Sequence, residues 1–279
     1  MAEGVLEKHL SEIEKAAERL QGVISDTGMI HSSYFSQEFG NDVWIKPENL
    51  QKTGSFKIRG AYNRISQLTE EERAHGIVTA SAGNHAQGVA YAAQHFGCPC
   101  TIIMPEVTPL IKIKSAQEKG ANVVIHGENY DQSYRKALEV AVETGGLFVH
   151  AYNDYGVLCG QGTLALEMLR ENPDVDEILV PVGGGGLISG VALAAKALKP
   201  DIRITGVEPE GAASMKLSLE RGKVTPLAKT STCAEGVAVC EVGDLTFDFV
   251  QKYVDGIIST QEMLQLLQRL ARMVQLESL

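Results

Sequence analysis

Apolar and polar positions recur along this chain with two different periods, and the switches between them mark its elements. Residues 3–20 carry Val5, Leu6, Leu10, Ile13, Ala17 and Leu20 close to one face, which predicts a helix. Residues 43–46 (VWIK) read as a short strand, and Lys57 to Leu68 as a helical stretch. From residue 76 the alternation becomes regular. GIVTA predicts a strand, HAQGVAYAAQHF a helix, CTIIMP a strand, and PLIKIKSAQEKG a helix ended by Gly120. NVVIHG is then a strand, DQSYRKALEVAVETGG a helix ended by Gly145 and Gly146, and LFVHA a strand. A second series follows: helix 160–171, strand 177–182, helix 187–198, strand 203–208 and helix 212–221.

Strands separated by helices of roughly 10–15 residues imply βαβ units and parallel sheets. The strands are apolar throughout, as required when helices cover both faces of a sheet. The rhythm therefore predicts an α/β chain of two domains, with open, mostly parallel sheets and a cleft between them. One run covers 76–150. The other begins at 151, and residues 1–50 most simply join it. The expected division is 76–150 as a small domain and 1–75 plus 151–279 as a large one.

Composition narrows the class. The chain has 279 residues, 44% hydrophobic and 22% charged, which is ordinary for a globular protein and excludes a disordered acidic tail or a collagen-like fibre. A net charge of −10 without a basic cluster argues against nucleic-acid binding. No apolar run approaches the roughly 20 residues of a membrane helix, and the charged N-terminus lacks a secretory pattern. These features point to a cytoplasmic protein. The five cysteines, Cys98, Cys100, Cys159, Cys233 and Cys240, read as reduced, buried thiols. C-P-C at 98–100 has the wrong spacing for a C-x-x-C redox or zinc motif.

Three loops carry candidate chemistry. In PVGGGGLISG, Gly183, Gly184, Gly185 and Gly186 follow an apolar strand and open a helix. Backbone free of Cβ atoms can turn its N–H groups into one concavity, and the helix adds its positive end, which suits a phosphate. The alternatives are a tight strand-helix connection, or a dinucleotide fingerprint with Glu208 as its acid. The glycines do not spell G-x-G-x-x-G, since Ile188 holds the sixth position. In ENLQKTGSFKIRGA, Lys57 follows a small-residue loop and Phe56. A lysine there is either a solvated surface residue or a nucleophilic amine, with Arg59 as a neighbouring cation that would favour the neutral form. In TASAGNHAQG, Ser81, Asn84 and His85 cluster where a strand gives way to a helix, as an ordinary N-cap or as a carboxylate or phosphate site. His85 could equally be a satisfied core histidine.

Taken together, KPENLQKTGSFKIRGA (46–61), SAGNHAQG (81–88), GQGTLALE (160–167) and GGGGL (183–187) identify a resemblance to the fold-type II pyridoxal-phosphate (PLP) enzymes. Within these it is to the threonine/serine dehydratases of the serine racemase group. The resemblance covers residues 20–260. It implies a tryptophan synthase β-like fold with PLP in the interdomain cleft. It implies Lys57 as the lysine bonded to PLP and catalytic, and Phe56 packed near the cofactor. Asn84 would be the partner of the PLP 3′-oxygen, and Gly183 to Leu187 the phosphate loop. Ser81, Asn84 and His85 would form the loop that closes on the substrate carboxylate, with Asn153 lining the pocket. The implied reaction is β-elimination of L-threonine or L-serine to 2-oxobutyrate or pyruvate and ammonia, by a homodimer or higher homo-oligomer. The racemases carry a serine where this chain has Ala82, which cannot transfer a proton, so elimination is expected over racemisation.

The chain departs from the family pattern at several points. Thr27-Gly28-Met29 stands for T-P-L, and Ala234-Glu235-Gly236 for A-D-G. Of the metal site of some relatives, Glu208 and Ala212 match while Ser214 replaces an aspartate. This lowers the negative charge and leaves a weaker or monovalent cation. After YVDGIIS (253–259) and a helix from Thr260, no match follows to the glycine-rich segment and S-G-G-N-like loop whose serine bonds the pyridine nitrogen. The alternative expectation is a C-terminally truncated, catalytically impaired PLP-binding variant acting through other subunits, or a serine racemase. An NAD-linked dehydrogenase would rest on the glycine loop and Glu208 alone.

Overall fold

The computed structural model describes residues 3–260, and the helix expected beyond Thr260 lies outside them. Helix α1 (Glu3–Leu20) opens the chain and buries Ile13 and Ala16 in the larger core, beside Leu158 and Leu193. A short antiparallel ribbon of β1 (Ile30–His31) and β2 (Trp44–Ile45) brackets α2 (Ser33–Phe39). Ser32 Oγ accepts the Phe35 N–H and caps α2. Helix α3 (Lys57–Ser66) follows, then α4 (Glu70–His75). A capping box starts α4: Glu72 N–H donates to Thr69 Oγ1, and Thr69 N–H to the Glu72 carboxylate.

Two parallel sheets carry the rest. The first orders its strands β5-β4-β3-β6, from β3 (Ile77–Ala80), β4 (Cys100–Met104), β5 (Asn122–Ile125) and β6 (Leu147–Phe148). Its register pairs Ile77 with Cys100 and Ile102 with Val123. Helices α5 (Asn84–Phe96), α6 (Leu110–Gln117) and α7 (Tyr130–Thr144) connect these strands. Helix α8 (Tyr155–Glu171) leads to the second sheet, ordered β7-β8-β9. Its elements are β7 (Glu177–Pro181), α9 (Gly186–Leu198), β8 (Arg203–Pro209), α10 (Ser214–Arg221), α11 (Asp244–Tyr253) and β9 (Gly256–Thr260). The α/β class with parallel sheets flanked by helices is as the rhythm of the sequence predicts.

Several boundaries differ from that reading. Helix α8 begins at Tyr155, five residues before the expected start at 160, with Asp154 as its cap. Gly160 and Gly162 do not interrupt it because they serve contact between helices. A Cβ on Gly160 would stand 2.5 Å from the Arg59 carbonyl oxygen and 2.6 Å from Gly60 Cα, and one on Gly162 would stand 2.7 Å from the Gly190 carbonyl oxygen. Helices α3, α8 and α9 thus meet backbone to backbone. Strand β6 ends at Phe148 instead of 151, because the chain turns away after Val149 N–H bonds Val78 O at 2.9 Å. Helix α10 starts at Ser214, after a 3-10 turn over Glu210–Ala212. The cysteines are free, but not all buried: Cys100 and Cys159 are, Cys98 and Cys240 are half-buried, and Cys233 is exposed in the loop before α11.

A guanidinium is buried where α3 meets α8. Arg59 is fully buried. Its Nε and Nη2 donate to Glu48 at 2.8 and 2.9 Å, and Nη1 and Nη2 donate to Glu167 at 2.5 and 2.8 Å. Thr163 Oγ1 accepts from Nη1 at 3.1 Å, and Lys46 Nζ pairs with Glu167 at 2.8 Å. Burial pushes the Glu167 carboxyl up, but Arg59 and Lys46 outweigh it and hold the group below its ordinary range. Arg59→Met would leave Glu48 without its cation and Glu167 with Lys46 alone, and is expected to cost about 3–5 kcal/mol, read as a lower urea midpoint. A depressed carboxylate stabilises the fold above its unfolded pKa and loses that contribution as pH falls. Arg59→Met should therefore also flatten the acid limb of the stability–pH profile.

Candidate active site

Apart from the lysine loop, which follows the β1-β2 ribbon and a 3-10 turn over Glu48–Leu50, the loops with candidate chemistry leave the C-terminal ends of parallel strands: 81–83 after β3, 149–154 after β6, 182–185 after β7 and 210–213 after β8. In open α/β sheets this is the edge at which ligands bind.

Lys57 is the first residue of α3. Its Nζ donates to the Ala151 carbonyl oxygen at 2.8 Å and lies 5.4 Å from the centre of the Phe56 ring. Burial of the amine pulls it down to about 8. Arg59, expected to do this as a neighbouring cation, does not: its guanidinium is engaged by Glu48 and Glu167. Desolvation alone makes the amine less basic.

The loop after β3 splits its candidates. Ser81 is half-buried, and its Oγ accepts the Gly83 N–H at 3.2 Å. Asn84, the first residue of α5, is exposed. His85 turns inward, 2% exposed, with Nε2 donating to the Val149 carbonyl oxygen at 3.0 Å and Nδ1 left without a partner. Burial, then the charge of Lys57, brings His85 down to about 3, so the ring is neutral at physiological pH. One turn further, a Cβ on Gly88 would stand 3.0 Å from the carbonyl carbon and oxygen of Lys57. Helix α5 therefore packs directly on the peptide of the buried lysine.

The glycine loop is hemmed in on all sides. Gly185 takes φ +93°, a conformation that side chains rarely adopt, and a Cβ there would stand 2.8 Å from Thr246 Oγ1. Thr246 Oγ1 donates to the Gly184 carbonyl oxygen at 2.6 Å. The Tyr152 ring fills the place a Gly184 side chain would take. The opening turn of α9 has N–H groups without acceptors inside the helix, next to this bare backbone. Leu187 lies in that turn, half-buried and packed on the larger core.

Asn153 serves the same region from behind. Its Oδ1 accepts the Leu245 N–H at 3.1 Å, at the start of α11. Glu208 is fully buried, with its two carboxylate oxygens accepting the Met215 and Lys216 N–H groups at 2.8 and 2.9 Å. Ala212 and Ser214 are buried nearby in sequence, and Ser214 Oγ has no partner. Among the described residues, no group of three His, Cys, Asp or Glu side chains stands together to hold a metal.

Sequence reasoning missed Ala151, Tyr152, His150 and Thr246. The signal was present in A-Y-N-D: Asp154 is a helix cap, so the residues before it form a strand-to-helix loop at the ligand edge. The residues fit a phosphorylated aldehyde cofactor such as PLP. A buried amine of lowered basicity can hold the aldehyde. The glycine cradle at a helix start suits the phosphate. The Ala151–Tyr152 segment touches both.

Comparison with known proteins identifies the family. The family model for pyridoxal-phosphate dependent enzymes matches residues 20–276. The L-threonine ammonia-lyase of Thermotoga maritima is 49% identical over 253 residues, covering 91% of this chain and 63% of that enzyme. The catabolic L-threonine dehydratase of Escherichia coli K12 is 41% identical, covering 93% of this chain and 81% of that enzyme. The chain thus spans under two thirds of the length of the Thermotoga relative. Among solved structures, the processed form of threonine deaminase isoform 2 from Solanum lycopersicum superposes with a TM-score of 0.89 at 41% identity, over 92% of this chain and 74% of that one. Maize serine racemase does so with a TM-score of 0.87 at 38% identity, over 90% and 76%. A family match over most of the chain, together with the loops at the sheet edges, places this protein in the pyridoxal-phosphate dependent enzyme family.

Proposed function

We propose that this chain binds PLP through Lys57 and deaminates L-threonine, and with it L-serine, by β-elimination. The observation that carries the reading is the buried Lys57 amine at about 8, joined to the glycine loop through Ala151 and Tyr152. The threonine ammonia-lyase and dehydratase names of its relatives support the substrate class. Bound PLP supplies an electron sink for charge left on the substrate α-carbon. The residues do the rest. At pH 7.5 an amine at about 8 is roughly a quarter neutral, against about one part in a thousand at its ordinary value. Lys57 Nζ can therefore hold the cofactor and, once displaced by the substrate amine, accept the α-proton. Gly183, Gly184, Gly185, Gly186 and Leu187 receive the phosphate, Phe56 packs beside the cofactor, and Asn84 meets its 3′-oxygen. Ser81, Asn84 and His85 close on the substrate carboxylate, with His85 neutral and inside the loop, and Asn153 steadies the pocket wall. Loss of the β-hydroxyl as water, then hydrolysis, gives 2-oxobutyrate and ammonia from threonine.

The same reading divides the chain into a large unit of 1–75 plus 151–279 and a small one of 76–150, with the cofactor between them. It includes a weakly held cation at Glu208 and Ala212. The partnerless Ser214 hydroxyl and a single carboxylate suit a monovalent ion better than a divalent one. It also makes the protein a cytoplasmic homo-oligomer. Ile30, Phe39, Trp44 and Leu50 stay 39–59% exposed on and beside the β1-β2 ribbon, an apolar surface for a second copy.

Purified protein should show a visible absorbance band and release 2-oxobutyrate from L-threonine, and Lys57→Ala should abolish both. A band that survives in Lys57→Ala would overturn the assignment, and a Lys57-dependent band without turnover would favour the impaired variant. Chiral analysis of serine after incubation should find pyruvate with little D-serine, because Ala82 offers no second acid. Amine-labelling rates at Lys57 in cofactor-stripped protein should rise with a midpoint near pH 8, not near 10.5. Trp44→Asp should lower the mass measured by sedimentation if the ribbon joins subunits.

A further inference from the structure

The crossing from β6 to α8 carries more of the site than its length suggests. Val149 O accepts from His85 Nε2 at 3.0 Å and from Thr79 Oγ1 at 2.9 Å. Ala151 O accepts from Lys57 Nζ. Tyr152 covers Gly184, and its hydroxyl donates to the Glu241 carbonyl oxygen at 2.9 Å. Asn153 bonds the start of α11. Yet residues 150–153 follow the last ladder bond, from Val149 N–H to Val78 O, and precede α8, so neither a strand ladder nor a helix sets their path.

One side chain does so. His150 Nδ1 accepts the N–H of Tyr152 at 3.2 Å and that of Asn153 at 2.9 Å. Asn and Asp make such contacts to the backbone two and three residues on when they start turns. An imidazole can accept at Nδ1 only when it is neutral and protonated at Nε2. The ring is held edge-on between aromatic neighbours, 4.5 Å from Tyr152 and 5.8 Å from Tyr134 between centroids. The charged and titratable groups around it are Lys57 from α3, His85 from α5, Tyr134 from α7, and Tyr152 and Asp154 from its own segment. Burial, then Lys57, brings His150 down to about 4, against the pull of Asp154, so the accepting form prevails at neutral pH.

We propose that His150 is a positioning residue of this active site: its Nδ1 fixes the 150–153 turn and so holds in register the carbonyl that orients Lys57 and the tyrosine that walls the glycine loop. The inference rests on the reading of Lys57 and the glycine loop as the PLP site. It differs from a packing role in one respect: it requires an acceptor, not a ring. His150→Phe keeps the ring and removes the acceptor, whereas His150→Asn keeps an acceptor and removes the ring.

The test compares the two variants with the wild-type holoenzyme. The readouts are PLP dissociation on dilution, the pH midpoint of the visible band, kcat and KM for L-threonine, and the thermal midpoint. His150→Phe should release PLP at least tenfold more readily, shift the band's pH midpoint and lose at least tenfold in kcat. His150→Asn should stay within about threefold of wild type in each. His150→Phe matching wild type in PLP release and band midpoint would overturn the proposal. So would His150→Asn being as impaired as His150→Phe at an unchanged thermal midpoint. If His150→Phe does not fold, His150→Asn decides alone: wild-type PLP retention supports the acceptor role, and a tenfold loss overturns it. Lys57→Ala keeps the two levels apart. A band that persists in it overturns the PLP reading, whereas its loss beside an unaffected His150→Phe overturns only the role of His150.

Discussion

A guanidinium cut off from water survives only where carboxylates take up its charge and its N–H groups together. Arg59 meets that condition by binding Glu48 through Nε and Nη2 and Glu167 through Nη1 and Nη2. The fold around Lys57 follows from the arrangement. Glu48 belongs to the segment that leads into the lysine loop, Arg59 to the first turn of α3, and Glu167 to the fourth turn of α8. One buried cation thus sets where α3 starts and how it lies on α8. The glycine contacts then allow that closeness, since Gly60 and Gly160 let the two backbones touch. Electrostatics fixes the direction of α3, and the missing side chains fix its distance. The Lys57 amine sits two residues from the pinned point.

Much of this fold was legible in the sequence, for a physical reason. GIVTA and CTIIMP announce themselves because β3 and β4 are covered on both faces, whereas EILVPV, equally apolar, forms a strand covered on one face only, with Ile178 and Val180 buried and Leu179 62% exposed. The expected helix at 160–171 already ran through Gly160 and Gly162 but missed the first turn of α8, which starts at Tyr155 under the Asp154 cap, and it did not show that the glycines serve contact with α3 and α9. The period of a sequence holds no information about which neighbour needs the room. The same blindness hid α11 and β9, whose partners lie far away along the chain.

The site was legible in its residue types and less so in its causes. Lys57 was identified from its surrounding motif, but the lowered basicity of its amine was assigned to Arg59, two residues away. In space Arg59 is neutralised, and dehydration of the amine does the work. Ser81, Asn84 and His85 looked like one cluster, yet helix geometry turns Asn84 to solvent and His85 to the interior. The carbonyl of Ala151 was invisible to any reading based on side chains, because its contribution is a backbone oxygen.

Gly88 has a mechanical meaning. Helix α5 carries the 81–85 loop at its leading end, and Gly88 lies one turn on, against the carbonyl of Lys57 with no side chain between. A helix is stiff along its axis, so the two contacts move as the ends of one short lever. The 81–85 loop cannot tilt without pressing on the peptide plane that carries the Lys57 amine. Cushioned by side chains, such a motion would dissipate before reaching the lysine.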